Sequence, residues 1–316
     1  MQQILNVIHT NSNFVLAGHV SPDGDTIGAC YALAFALKQM GKNVTVAIEA
    51  YPKKYDIMPG REFLNTAPQK DLNVDVLIAL DCADIKRLGP GLSLFKRAKT
   101  TVCIDHHKTN SGFAKVNYIM PNASSTCEII YRLLQKLPIT LCQSIATAIY
   151  VGLVTDTGGF RHKTTSPYTM EVAAKMMATG IPFTEIYAQV LLMHSFAASN
   201  AKGTVLANAK QVQDNRIVYS YISREALATL GADSADLDGV IDYLLSTAEA
   251  EIAMLAYETK LLNQVKISFR SKGPDVGNVA AALGGGGHHL AAGCTVPGDI
   301  ENAIAKALPL AMEALV

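Results

Sequence analysis

Three apolar runs in this chain each stop on a group of ionisable side chains. Phe14–Gly18 leads into His19-Val20-Ser21-Pro22-Asp23-Gly24-Asp25, Val74–Leu80 stops on Asp81, and Thr100–Ile104 stops on Asp105-His106-His107. Pro22 and Gly24 interrupt regular structure, so the first group occupies a loop at the end of a strand. Between the first two strands, Thr26–Met40 carries a helical apolar pattern with Gly41 placed to cap it, and Val44–Ile48 is again strand-like. That is a β-α-β unit, which predicts a parallel sheet. In an open parallel α/β sheet the carboxyl ends of the strands share one edge, and ligands bind in the crevice there. Groups far apart in sequence are therefore expected to converge.

The remaining pattern extends this picture. Residues 2–10 read as a short amphipathic helix, and residues 51–73 as loop with a turn of helix. Asn122–Ser125 can cap a helix running to about Lys136. A second helix over about Cys142–Val154 delivers Asp156, followed by Gly158-Gly159. Ser166-Pro167 opens another helix as N-cap and first residue. Helical stretches follow over 183–193 and 196–210. A second α/β region then reads strand 217–222, helix 223–230, helix 238–246, strand 252–258, strand 264–270, helix 275–283, a glycine tetrad at 284–287, and a closing helix over 299–315. The expected fold is thus α/β in two domains: residues 1–185 with a parallel sheet flanked by helices, a helical linker 186–210, and a smaller α/β domain 211–316. The active site is expected in the cleft between them.

Composition restricts the partners. Hydrophobic residues make up 49% and charged residues 17% of 316, so core material is ample for two domains. Lys plus Arg and Asp plus Glu are 27 each, giving no net charge. Long nucleic acid, which needs a basic footprint, is not an expected partner. The six cysteines form no C-x-x-C pair and mostly lie in apolar runs, as expected of a reduced, cytoplasmic protein. The first fourteen residues lack a basic signal-peptide start, and no apolar run approaches the roughly 20 residues that span a bilayer, so no membrane is expected.

His19, Asp23, Asp25, Asp81, Asp105, His106, His107 and Asp156 make a carboxylate-rich set with imidazoles and no cysteine. Such a set suits Mn²⁺, with Mg²⁺ or Co²⁺ as substitutes, better than structural zinc. So many carboxylates exceed one divalent ion and would repel one another unpaired. Two cations sharing a carboxylate, about 3.5–4 Å apart, resolve this and serve phosphoester hydrolysis. The glycine tetrad is either a linker or a loop whose bare backbone approaches an anionic ligand. Arg270, at the end of Lys266–Arg270, could make a bidentate phosphate contact. His9 and His194 read as structural, and Arg161 and His162 as residues near the cleft.

These motifs resemble those of a known family. His19-x-x-x-Asp23-x-Asp25, the strand-terminal Asp81, Asp105-His106-His107 and Asp156 resemble the four motifs of the DHH phosphoesterase superfamily. Ser268-Phe269-Arg270-Ser271 and Gly285-Gly286-Gly287-His288-x-x-Ala291-Ala292-Gly293 resemble the DHHA1 domain. Size and domain order are most similar to the stand-alone NrnA type, oligoribonucleases that also hydrolyse 3′-phosphoadenosine 5′-phosphate. The resemblance implies two Mn²⁺ ions: one on His19, Asp23 and Asp81, the other on Asp25, Asp81, His106 and Asp156. Asp105 would orient an imidazole, and His107 would contact the scissile phosphate or assist the leaving oxygen. Arg270, Gly285, Gly286, Gly287 and His288 would hold the rest of the nucleotide. Expected substrates are short single-stranded RNA, linear dinucleotides and nucleoside bisphosphates. A homodimer stays open.

Three alternatives compete. A stand-alone cyclic di-AMP or pApA phosphodiesterase would share every motif. An inorganic pyrophosphatase would share the metal motifs but carry a different second domain. A non-catalytic nucleotide sensor would lose ligands, and none is lost here.

Overall fold

The computed structural model describes residues 1–68 and 72–315. It divides into two compact units, Met1–Met193 and His194–Val316. The first contains α1 (Gln2–Thr10), β1 (Asn13–Ala17), α2 (Gly24–Gln39), β2 (Asn43–Ala47), β3 (Val76–Leu80), α3 (Leu92–Phe95), β4 (Thr100–Asp105), β5 (Val116–Ile119), α4 (Thr126–Leu134), α5 (Gln143–Asp156), α6 (Pro167–Met177) and α7 (Phe183–Tyr187), extended by a π turn over Ala188–Leu192. The loop expected over 51–73 holds two short 3-10 turns, Lys53–Tyr55 and Arg61–Phe63. Its residues 69–71 lie outside the described residues.

The strands form one parallel sheet in the order β2-β1-β3-β4-β5. Alternate side chains serve opposite faces. Phe14, Leu16, Ile78, Leu80, Val102 and Ile104 pack toward α2, α4 and α5. Val15, Ala17, Leu77, Ala79 and Cys103 pack with Leu88, Leu94 and Phe95 on the other. The chain leaves β1 for β2 on one side and reaches β3 on the other. The direction of winding reverses between β1 and β3, and a crevice opens beyond their carboxyl ends. The loops after β1 and β3 carry His19–Asp25 and Asp81.

Local chemistry starts each helix where the site needs it. Asp23 caps α2, its Oδ1 accepting from the N–H groups of Asp25 and Thr26 at 3.1 Å. Ser125 caps α4 by accepting from Glu128 N. The α2 and α5 helices lie close enough that a Cβ on Gly152 would fall 2.2 Å from Cys127 Sγ and 2.8 Å from Asp25 Oδ1. Only glycine lets α5 pass there and still deliver Asp156 at its end. Ser166 and Pro167 start α6 as expected, with a reciprocal Ser166–Thr169 capping box.

The second unit contains α8 (Phe196–Ala207), β6 (Lys210–Val212), β7 (Ile217–Ile222), α9 (Arg224–Thr229), α10 (Val240–Leu245), β8 (Ile252–Glu258), β9 (Gln264–Ser271), α11 (Val276–Ala282), β10 (Gly286–His288), β11 (Ala291–Pro297) and α12 (Ile300–Glu313). Of the stretch 186–210 expected as linker, α8 packs into this unit through Ala201 and Val205. The sheet order is β10-β11-β9-β8-β7-β6, antiparallel except for β7–β8. One face is covered by α11 and α12, the other by α8, α9 and α10. Two of the four glycines depart from the expected loop. Gly286–His288 is an edge strand paired with Ala291–Gly293 through a tight turn at His289-Leu290.

Candidate active site

The first unit brings all eight ionisable residues singled out in its sequence to one sheet edge. Asp81 lies at the centre, 2% exposed, with a left-handed backbone (φ +54°). Its Oδ2 accepts from the Thr26 hydroxyl at 2.7 Å and lies 3.6 Å from His19 Nε2. Its Oδ1 accepts from the Thr126 hydroxyl at 3.2 Å and lies 3.6 Å from both His106 Nε2 and His107 Nδ1. Burial works against ionisation of Asp81. The His19 hydrogen bond, the His106 charge and the Thr26 hydroxyl outweigh it and hold the carboxyl at about 2.

Three overlapping donor groups meet here: His19, Asp23 and Asp81; Asp25, His106 and Asp156; and Asp81, Asp105, His106 and His107, each with ligand atoms within 4.8 Å of one another. His19 and His106 are oriented from behind: Nδ1 of His19 donates to the Val20 carbonyl at 2.8 Å, and Nδ1 of His106 to Ala123 O at 3.4 Å. Both Nε2 atoms then face the carboxylates, and as neutral rings they would turn lone pairs inward, the arrangement a metal-binding imidazole needs. Asp23 uses only Oδ1 as helix cap and leaves Oδ2 4.0 Å from His19 Nε2.

Asp25 and Asp156 show the cost of gathering carboxylates without cations. Two backbone donors at the start of α4, Thr126 and Cys127, favour the Asp25 anion. Burial and then the charges of Asp81 and Asp156 oppose it and push this carboxyl well above the usual range. Burial, then Asp81 and Asp23, push Asp156 up to about 8. Divalent cations would remove that repulsion, so the donor set fits metal ions.

Asp105 does different work. Fully buried, its Oδ1 accepts from His106 N at 2.8 Å, His107 N at 3.3 Å and His107 Nδ1 at 2.7 Å, while Oδ2 accepts from Asn110 Nδ2 at 2.7 Å. The Asp105 hydrogen bond raises His107 to about 9 against the effect of burial. That hydrogen bond favours the protonated ring in the metal-free protein, and His107 Nε2 makes no hydrogen bond among the described residues.

The sequence did not single out Thr26, Thr126 and Asn110, which hold Asp81 and Asp105, because a hydroxyl or amide near a helix start or in a loop carries no periodic signal. His162, expected near the cleft, bonds the Asp156 carbonyl through Nδ1 at 3.1 Å.

The residues expected to hold the nucleotide lie in the second unit, on one sheet. His288 pairs with Ala291, and Ala291 with Arg270, so the three share a face with the small Ala291 between two basic side chains. Arg270 is partly exposed, donates to Phe269 O and lies 3.8 Å from Asp242.

Known proteins match the whole arrangement. The chain matches the DHH family, N-terminal domain, over residues 13–153 and the DHHA1 domain over residues 214–315. The bifunctional oligoribonuclease and PAP phosphatase NrnA of Thermus thermophilus is 31% identical over 95% of this chain and 89% of its own length. The cyclic-di-AMP phosphodiesterase GdpP of Bacillus subtilis is 28% identical over 89% of this chain and 44% of its own length. An exopolyphosphatase-related protein from Bacteroides fragilis has a similar structure, with TM-score 0.88 and 26% identity over 99% of this chain and 95% of that one. With both domains matched and the strand-end cluster assembled, the chain belongs to the DHH phosphoesterase family and is a hydrolase of phosphoester bonds.

Proposed function

We propose that the protein hydrolyses short oligoribonucleotides, including linear dinucleotides, to mononucleotides, and 3′-phosphoadenosine 5′-phosphate to AMP. The observation that carries this reading is Asp81: one ionised carboxylate faces two separate imidazole-carboxylate sets from its two oxygens. Two Mn²⁺ ions would be held there, one by His19, Asp23 and Asp81, the other by Asp25, Asp81, His106 and Asp156. When bound, such a pair lowers the pKa of water and offsets charge on a phosphoryl group. A chain of zero net charge suits short substrates, because a long polyanion needs a basic track.

The side chains supply the rest. Asp105 is saturated by four donors and stays off the cations; it fixes the His107 ring and keeps its proton. His107 then presents Nε2–H to a phosphoryl oxygen or to the departing alkoxide, which leaves as an alcohol once protonated. Thr26 and Thr126 each donate a hydroxyl hydrogen bond to one Asp81 oxygen and so restrain the carboxylate. In the second unit, Arg270, His288 and the backbone of Gly285–Gly287 would bind the remaining nucleotide, with Arg270 as the fork for its anionic group.

The relative that acts on oligoribonucleotides and PAP is aligned over nearly all of both chains. The match to a cyclic-di-AMP phosphodiesterase supports a second reading, in which cyclic di-AMP or pApA is the preferred substrate. Among the described residues no helix is long and apolar enough to cross a membrane.

Product analysis with Mn²⁺ separates the readings. The panel is pApA, a short RNA, 3′-phosphoadenosine 5′-phosphate, cyclic di-AMP and pyrophosphate, with Asp81→Ala as blank. Mononucleotides from RNA and AMP from the bisphosphate are expected. Preferred opening of cyclic di-AMP would select the second reading, and silence on every substrate would overturn both.

A further inference from the structure

The loops after β3 and β4 line an open pocket of about 330 Å³ with Ala83, Asp84, Ile85, Thr109, Ser111 and Phe113. Ala83 and Asp84 follow closely on Asp81, and Thr109 and Ser111 on His107. Asn110, between the last two, bonds both Asp105 Oδ2 and the Cys82 carbonyl. One side chain therefore joins the wall of this pocket to the centre that holds His107.

Size and chemistry restrict the occupant. The volume is at the low end of the range for small-molecule sites, about 300–1,000 Å³, which is room for one nucleoside. The Phe113 ring, tilted on Phe95 at a centroid distance of 5.6 Å, gives an aromatic wall beside apolar Ile85 and Ala83. Asp84 spends Oδ1 on Lys86 N at 2.9 Å and keeps Oδ2. The Thr109 and Ser111 hydroxyls make no hydrogen bond among the described residues. A carboxylate repels phosphate, so this pocket does not suit the scissile group. It suits the neutral part of a nucleotide: a base against the aromatic wall and a ribose whose hydroxyls donate to the carboxylate, a pairing that dinucleotide sites also use.

We infer that this pocket takes the ribonucleoside adjoining the scissile phosphate, with Asp84 accepting from its 2′-hydroxyl, and that it makes the enzyme select ribose over deoxyribose. The 2′-hydroxyl is the group by which a protein distinguishes RNA from DNA at a given position. The inference rests on the nuclease reading above.

The test compares kcat/KM for pApA and its 2′-deoxy counterpart in the full-length, Mn²⁺-loaded protein. Wild type is expected to favour the ribo form by about tenfold or more, the worth of one hydrogen bond to a charged group. Asp84→Ser keeps a cap for Lys86 N but withdraws the carboxylate, and should bring the ratio near one through a higher KM for the ribo substrate. Ala83→Leu, which fills the pocket, should raise KM for both substrates. A wild type without sugar preference, or a ratio unchanged in Asp84→Ser, overturns the inference. If neither dinucleotide turned over, the nuclease reading would fail by itself. Calorimetric titration with adenosine and 2′-deoxyadenosine would then decide the pocket: tighter adenosine binding that Asp84→Ser abolishes supports it, and equal or absent binding overturns it.

Discussion

The Asn110 side-chain amide donates to Oδ2 of Asp105 at 2.7 Å, completing the coordination of a carboxylate that has no access to solvent. The same amide reaches the Cys82 carbonyl at 3.1 Å, one residue beyond Asp81. Asn110 thus ties the loop that carries Asp81 to the one that carries the two histidines. Asn110→Ala should lower kcat by about 10–100-fold, the usual effect of removing a partner that orients a site residue. Leaving the buried Asp105 Oδ2 without a donor should also cost about 1–3 kcal/mol of stability. Steady-state kinetics with Mn²⁺ and a urea titration measure the two effects. Wild-type kcat in this variant would remove Asn110 from the mechanism.

Asp81 combines a functional carboxylate with an unfavourable backbone at φ +54°. Two substitutions separate these properties. Asp81→Ala and Asp81→Gly both delete the carboxylate and should both reduce turnover to the level of the blank. They should differ in stability, because Ala in a left-handed conformation costs roughly 1 kcal/mol that Gly does not. Chemical denaturation should therefore rank Gly above Ala at this position, against the usual order in strands and helices.

The metal-free cluster has a pH signature with a definite sign. Asp156 is pushed up to about 8. From about pH 4 upward the unfolded chain gives up this proton while the folded protein keeps it, so stability falls between about pH 4 and 8. His107, raised to about 9, contributes stability that is complete below about pH 6.5 and is lost through pH 9. Both changes run the same way: with chelator present, the melting temperature should fall steadily from pH 5 to 9. Mn²⁺ should reverse this trend. Its binding displaces the Asp156 proton, so apparent affinity should rise with pH up to about 8, with proton release measurable by calorimetry in buffers of different ionisation enthalpy. A melting temperature that rises with pH in chelator would contradict the crowding of Asp25, Asp81 and Asp156.

How much could be read in advance follows from how each feature is encoded. β1, β3 and β4 are continuous apolar runs ending on Asp or His, so both the parallel sheet and the convergence of His19, Asp81 and Asp105 were legible. β5 and β6 were not, since Val116–Ile119 is only four residues long and Lys210–Val212 three, both at sheet edges, and β6 is mostly polar. β10 and β11 were hidden for another reason. Glycine and alanine have poor strand propensity, and Gly286–His288 becomes a strand only by pairing with Ala291–Gly293, itself held by the readable run Lys266–Arg270. The partners of the site, Thr26, Thr126 and Asn110, depend on a tertiary arrangement that no local pattern announces.

That hairpin gives the last prediction, because it assigns different duties to neighbouring glycines. A Cβ on Gly287, where φ is +150°, would fall 2.5 Å from Ala292 Cα, and one on Gly285 would fall 2.3 Å from the Gly293 carbonyl oxygen. Both positions are closed by the backbone of β11, so Gly285→Ala and Gly287→Ala should each destabilise the protein by about 1–3 kcal/mol. Gly286 has nothing within 4 Å and a negative φ. Gly286→Ala should therefore leave the melting temperature nearly unchanged. Its side chain would join the face that carries Arg270 and His288, since residues two apart on β10 point the same way. If a nucleotide phosphate rests on that face, the added methyl should raise KM several-fold while kcat stays the same. An unchanged KM in a normally stable Gly286→Ala protein would assign the tetrad to hairpin packing alone and leave Arg270 and His288 as the candidate anion contacts.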